Sequence, residues 1–181
     1  MGWIILIIVV LILVFLINIY NNLVSLRQKV KNAWSQIEIQ LQRRFDLIPN
    51  LVETVKGYMG HESNILTKVA ELRTAWANAK TVAEKSNLDT QLSDTLKTIM
   101  AVSEAYPDLK ANENFKDLSK QLTKVEDDIT NSRKYYNGVV RIYNNKVEMF
   151  PSNIFAGLFG YKSKAMFEAS ANERENVKVE L

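Results

Sequence analysis

The chain has 181 residues, 47% of them hydrophobic and 24% charged, with a formal net charge of +3 and no cysteine. That length supplies one domain. The missing cysteines exclude disulfides and thiolate metal sites, and the sequence lacks the basic stripe with aromatic or glycine-rich motifs that a nucleic-acid face requires. Three prolines and six glycines suit long helices better than many short strands. The mild positive balance reads as a well-solvated surface, with the basic residues after the first apolar run attracted to anionic lipid.

Residues Trp3 to Ile17 are apolar without interruption, and after Asn18 the pattern continues through Ile19, Tyr20, Leu23, Val24 and Leu26 to the first charge at Arg27. A bilayer core of ~30 Å needs about 20 helical residues. The run therefore predicts a transmembrane anchor over residues 1–26. Ile4, Leu6 and Phe15 face lipid, and Trp3 and Tyr20 form the two aromatic belts. A cleaved signal peptide needs a basic start and a small-residue cleavage site, and Met1-Gly2-Trp3 and Leu16-Ile17-Asn18 supply neither. Leu6 stands where a myristoylation motif wants Ser or Thr. Arg27, Lys29 and Lys31 follow the span with no acid before Glu38. The positive-inside rule then predicts a single-pass protein of the cell (inner or plasma) membrane, its N-terminus outside and its larger part cytoplasmic.

Beyond the span, apolar residues recur at three- and four-residue spacing. Leu26, Val30, Ala33, Ile37 and Leu41 continue straight on from the anchor. Leu51, Val55, Tyr58, Ile65, Val69, Leu72, Trp76 and Ala79 form a second stripe, and Leu88, Leu92, Leu96, Ile99, Val102 and Tyr106 a third. The fourth, Phe115, Leu118, Leu122, Val125, Ile129, Ser132, Tyr136, Val139 and Tyr143, alternates threes and fours as a coiled-coil seam does. Asp46 is the expected cap of a helix with Pro49 in its first turn. Gly57 and Gly60 are expected kinks in that helix. Ser86 or Asn87 is the expected cap of the third helix, and Pro107 its end.

The fold class that follows is all-α: a transmembrane helix continuous with an antiparallel up-and-down four-helix bundle over residues 27–147, then an apolar tail over 148–181. The bundle helices are placed at about 27–45, 47–83, 87–106 and 112–147. The 3–4 spacing implies crossings near 20°. Four helices of alternating direction return the chain near Val147 to the bilayer.

The tail from Met149 to Tyr161 is apolar and aromatic, carries no charge before Lys162, and is too short to span. Either it folds back on the bundle, or Phe150, Phe155, Leu158, Phe159 and Tyr161 lie in the membrane interface. Glu173 to Leu181 reads as a mobile or extended arm.

Signs of catalysis are few. His61-Glu62 starts like a zinc-protease motif, but Ile65 stands where the second histidine is needed. With one histidine and no cysteine, a Cys–His pair is impossible, and no glycine-rich phosphate loop occurs. Asp127-Asp128 reads as a solvated helix face. No cofactor and no metal are expected. Arg43, Arg44, Asp46, Asn50, Glu53, Glu126, Arg133 and Asn137 lie on or beside the apolar stripes, where a charge is costly unless paired. They are expected to form a structural polar network that fixes helix register.

The stretch from Ala33 to Tyr58, Ala-Trp-Ser-Gln-Ile-Glu-Ile-Gln-Leu-Gln-Arg-Arg-Phe-Asp-Leu-Ile-Pro-Asn-Leu-Val-Glu-Thr-Val-Lys-Gly-Tyr, resembles the signature of the LemA family. The resemblance continues in Tyr106-Pro107-Asp108-Leu109-Lys110-Ala111, Ser132-Arg133, Tyr136-Asn137, Tyr143-Asn144, Phe150-Pro151 and Phe159-Gly160. It departs only slightly, with Phe45 for the family's usual Tyr and Gln42 for a common Lys. The resemblance implies a bacterial integral membrane protein with a cytoplasmic helical bundle of bromodomain-like handedness and no established enzymatic activity. The expected function is a non-enzymatic, membrane-anchored helical scaffold that forms homo-oligomers or organises membrane partners. The alternative is an accessory subunit of a membrane protease or other membrane complex.

Overall fold

The structure, a computed structural model, describes residues 2–58 and 63–167. Among the described residues there are six helices and no strand: α1 (Gly2–Lys56), α2 (Ser63–Asn78), α3 (Val82–Ser103), α4 (Pro107–Ala111), α5 (Glu113–Glu148) and α6 (Ser152–Leu158). The all-helical expectation holds, as does a long apolar N-terminal helix that runs on without a stop. His61-Glu62, Gly60 and the arm Glu173–Leu181 lie outside the described residues.

The continuity of α1 has a local cause. From Trp3 to Lys56 no glycine interrupts it. Asn18, the first polar residue after the uninterrupted apolar run, donates its Nδ2 to the Val14 carbonyl at 2.9 Å and so stays satisfied on its own helix.

The first helix does not end at residue 45, and Asp46 caps nothing. Asp46 is exposed on α1 and accepts a hydrogen bond from Gln42 Nε2 at 2.8 Å. Pro49 sits inside the helix. Its missing N–H takes the i+4 donor from the Phe45 carbonyl, at a cost of about 3 kcal/mol. Against that, Leu41, Phe45, Ile48, Leu51 and Val55 are all 2% exposed or less. Each such side chain contributes about 1.5–3 kcal/mol on burial. The stripe wins, and the helix runs through the proline. Gly57 ends α1 rather than kinking a later helix, and Tyr58 N–H closes the turn on Val55 O at 2.9 Å.

The start of α3 also differs from expectation. Thr81, not Ser86 or Asn87, caps it. Glu84 N–H donates to Thr81 Oγ1 at 3.1 Å, and Glu84 Oε2 accepts from the Lys80 and Thr81 N–H groups at 2.8 and 3.0 Å. This is a reciprocal capping box. The chain breaks after Ser103, and Pro107 opens the short α4, where its absent N–H costs nothing. Asn112 Oδ1 accepts from Phe115 N–H at 3.1 Å at the head of α5.

The chain divides into two compact units, and α1 and α5 each contribute to both. One comprises residues 1–37 and 132–166, the other 38–131 and 167–181. In the first, Ile19, Leu23, Val30, Ala33 and Ile37 of α1 are buried, as are Tyr136, Val139, Val140 and Tyr143 of α5. Trp34 meets Tyr136 edge-on at 5.7 Å, and Arg27 acts electrostatically on Tyr143. These pairs run in opposite senses, so α1 and α5 are antiparallel there. In the second unit Arg44 pairs with Glu126, and Asn112 Nδ2 donates to Tyr58 Oη at 3.1 Å, again in opposite senses. Lys85 with Glu38 and Arg44 with Asp89 place α3 along α1 in the same sense. The fourth stripe faces inward through its length, with every member but Ser132 buried.

Two outcomes are expected. Pro49→Ala restores the bond to Phe45 and raises stability by roughly 1–3 kcal/mol, read by denaturant unfolding in mild detergent; a loss would show that the proline's local geometry is needed. The hydrogen bonds from Lys80 and Thr81 hold the Glu84 carboxyl below its usual range. A lowered carboxyl pKa stabilises above the unfolded value and is lost as pH falls through the folded one. Glu84→Gln should therefore reduce the loss of helical signal on acidification, and an unchanged acid profile would deny the box its role.

Candidate functional site

Arg44 is a buried cation, 3% exposed on α1. Its Nη1 lies 2.7 Å from Oδ1 of Asp89, which is fully buried on α3, and its Nη2 lies 2.7 Å from Oε2 of Glu126 on α5. One guanidinium thus ties three helices. Burial pushes the Arg44 pKa down, and the Glu126 charge partly restores it. A buried cation is tolerated only with close counter-charges, and the bidentate fork of arginine suits two carboxylates better than lysine does. The adjacent Phe45 ring stacks on Trp76 of α2 at 4.9 Å. Lys85, ion-paired with Glu38, lies over the Trp76 ring at 5.1 Å. Beside Arg44 is a cavity of about 340 Å³ lined by Leu96, Met100, Leu122 and Glu126. One oxygen of each carboxylate meets the arginine, so the arrangement links α1, α3 and α5 through a single guanidinium.

Of the polar residues expected to form a network, the structure brings Arg44 and Glu126 together. Arg43 points out and bonds Gln40 on its own helix at 3.3 Å. Asp46, Asn50 and Glu53 are exposed on α1, and Arg133 and Asn137 are half-buried on α5. The partner that sequence reasoning missed is Asp89. The 3–4 spacing places the third stripe through Leu88, which is only half-buried, whereas the buried face reads Asp89, Leu92, Leu96, Ile99 and Ser103. An acid on the 3–4 lattice of its own helix was the available signal.

The other unit holds the apolar segment. Every residue from Trp3 to Ile17 is exposed except Leu16, from 80% at Trp3 to 47% at Val9, the anchor residues Ile4, Leu6 and Phe15 among them. Tyr20 is 42% exposed and meets Phe159 edge-on at 5.1 Å. The helix is long and apolar enough to cross a bilayer, with a mean hydropathy of 3.2 over its best window.

The tail does two things. Past Gly160 it runs along α5. Tyr143 Oη donates to Lys162 O at 3.1 Å and Tyr136 Oη to Ala165 O at 3.0 Å. Asn144 exchanges two hydrogen bonds with Lys164, at 2.9 and 2.8 Å. Burial raises the Tyr136 and Tyr143 pKa values and so preserves both hydroxyls as donors. Tyr161, expected in the interface, is 9% exposed with the Arg27 guanidinium 5.2 Å above its ring. That cation–π contact and burial draw it inward. Phe155 is half-buried, while Phe150, Leu158 and Phe159 remain exposed.

The model of the LemA family matches residues 33–181. A protein named Protein LemA from Metamycoplasma hominis is 27% identical over 160 residues, covering 87% of this chain and 72% of its own length. Magnetosome protein MamQ 2 of Paramagnetospirillum magneticum is 24% identical over 175 residues, and magnetosome protein MamQ of Magnetospirillum gryphiswaldense 23% over 174. Each of these two alignments covers 82% of this chain, which spans 64% of the magnetosome relative's length.

Removing one member of the Arg44 cluster should cost more than removing the charges together. Asp89→Ala is expected to lose about 3–5 kcal/mol, and Arg44→Met with Asp89→Leu to recover most of it, since Glu126 can turn to water. Thermal or denaturant unfolding of both variants in detergent checks this. Equal losses would show that packing, not charge compensation, sets the cost.

Proposed function

Because the chain belongs to the LemA family, we propose that it is a non-enzymatic membrane-anchored scaffold that self-associates and organises membrane or membrane-protein partners. The observation that carries this reading is the exposed apolar helix from Trp3 to Ile17. In water so large a contiguous apolar surface is untenable, and in a bilayer it is the ordinary state of a spanning helix. The helical backbone satisfies its own hydrogen bonds, as a spanning segment must. Arg27, Lys29 and Lys31 follow the span, which supports a single-pass topology with the N-terminus outside and the rest cytoplasmic.

Self-association draws support from α5. Tyr135 and Ile142 are 54% and 57% exposed and lie two turns apart on one helix face. The relatives named as magnetosome proteins favour a structural role over a catalytic one.

Expression in a bacterial cell followed by alkaline extraction tests the anchor: the protein should stay in the membrane pellet, and protease should reach its larger part only in inverted vesicles. Light scattering after size separation in mild detergent tests assembly. A species of several copies is expected, shifted toward monomer by Tyr135→Ser with Ile142→Ser. A monomer that recovers one stoichiometric membrane protein on pull-down would replace the scaffold with an accessory subunit.

A further inference from the structure

Helix α6 is inside out. Its inward face is small: Ser152 and Ala156, four residues apart, are 2% and 1% exposed. Its outward face is large and apolar: Ile154 and Leu158, also four apart, are 58% and 75% exposed, and Phe150, just ahead of the helix, is 79% exposed. A helix on a water-facing surface shows the reverse arrangement. From Met149 to Tyr161 no residue is charged. The segment is also firmly placed. Tyr161 N–H bonds back to Ala156 O at 2.8 Å, and Gly160 turns the chain at φ +70°, a left-handed cap that glycine adopts at no steric cost. Phe159 against Tyr20 sets α6 at the end of the apolar span, and Tyr161 under Arg27 fixes the chain two residues later at the first charge.

The charge around it is lopsided. The unit made of residues 1–37 and 132–166 carries nine lysines and arginines against a single acid, Glu148. Its formal charge is therefore +8. With +3 for the whole chain, the other unit is left at −5. The modest total hides a strongly cationic unit that also holds the span. Arg27, Lys29, Lys31, Lys162 and Lys164 are all exposed.

We propose that α6 is a foot in one leaflet: Phe150, Ile154 and Leu158 enter the boundary between acyl chains and headgroups at the level of Tyr20, and the surrounding cations hold anionic lipid headgroups. The inference rests on the membrane-anchored reading above. Two features select a leaflet as occupant. The apolar face is continuous with the span through the Tyr20–Phe159 contact, and the flanking charge is the complement of acidic lipid rather than of the same, equally basic unit of a second copy.

The absence of cysteine allows a single label on the full chain. Leu158→Cys carries an environment-sensitive fluorophore, and Ile154→Cys repeats the measurement in case the first label disturbs folding. The protein is placed in nanodiscs of phosphatidylcholine and phosphatidylglycerol, with a nitroxide near the carbonyl of one lipid or the other. Recovery of the protein with the discs reports the anchor by itself, so a failed anchor shows as protein lost from the discs, whatever the label does. In protein-loaded discs, strong quenching by nitroxide lipid and weak quenching by aqueous iodide are expected. Quenching by labelled phosphatidylglycerol should exceed that by labelled phosphatidylcholine roughly twofold, and Lys162→Gln with Lys164→Gln should lower that ratio. Quenching by iodide alone would overturn the foot. Shielding from both quenchers would place a second copy on this face and overturn it equally. Equal quenching by the two lipids would overturn the recognition of anionic headgroups.

Discussion

Beyond its first turn, the apolar start of α1 satisfies its own backbone hydrogen bonds, while its side chains from Trp3 to Ile17, Leu16 aside, are exposed. That single mismatch organises the molecule. A helix can satisfy its own amides anywhere, but its side chains need a solvent, and Trp3 to Ile17 match hydrocarbon. Because no break intervenes, the same helix that leaves Phe15 exposed buries Leu23 and Ile37 in one unit and Phe45 and Leu51 in the other. The change of surroundings is written in the side chains along one continuous backbone.

Once α1 is fixed, the polar interior follows. Arg44 stands on the same buried face as Leu41, Ile48 and Val55, where a charge is tolerated only with counter-charges at contact distance. Asp89 and Glu126 supply them from two other helices. Apolar stripes alone allow neighbouring helices to slide by a turn at modest cost, because one leucine resembles the next. A guanidinium gripping two carboxylates does not allow it.

Much of this was legible in the sequence, for definite reasons. A hydropathy run is a direct statement about solvent, so the apolar helix was readable from Trp3 onward. The 3–4 lattice from Phe115 to Tyr143 is a direct statement about which face is buried. Two kinds of feature were not readable. Pro49 and Asp46 carry strong local signals for a helix start, and the burial of Phe45, Ile48 and Leu51 on one face overrides them. Asp89 and the inward turn of Tyr161 depend on partners 45 and 134 positions away in the chain, Arg44 and Arg27, which no local pattern encodes. The charge division was present in the composition but invisible in its total. It emerges only when residues 1–37 are grouped with 132–166, and that grouping is a tertiary fact.

The central claim is that lipid is the missing partner of residues 3–17 and that one unbroken helix carries the chain from lipid into protein. Hydrogen–deuterium exchange of the full chain in lipid nanodiscs tests both halves together. The account predicts slow exchange for the amides from about residue 6 to 48, with no fast window across Asn18 to Arg27. Rapid exchange throughout residues 6–17, or a labile gap between Asn18 and Arg27, would contradict it.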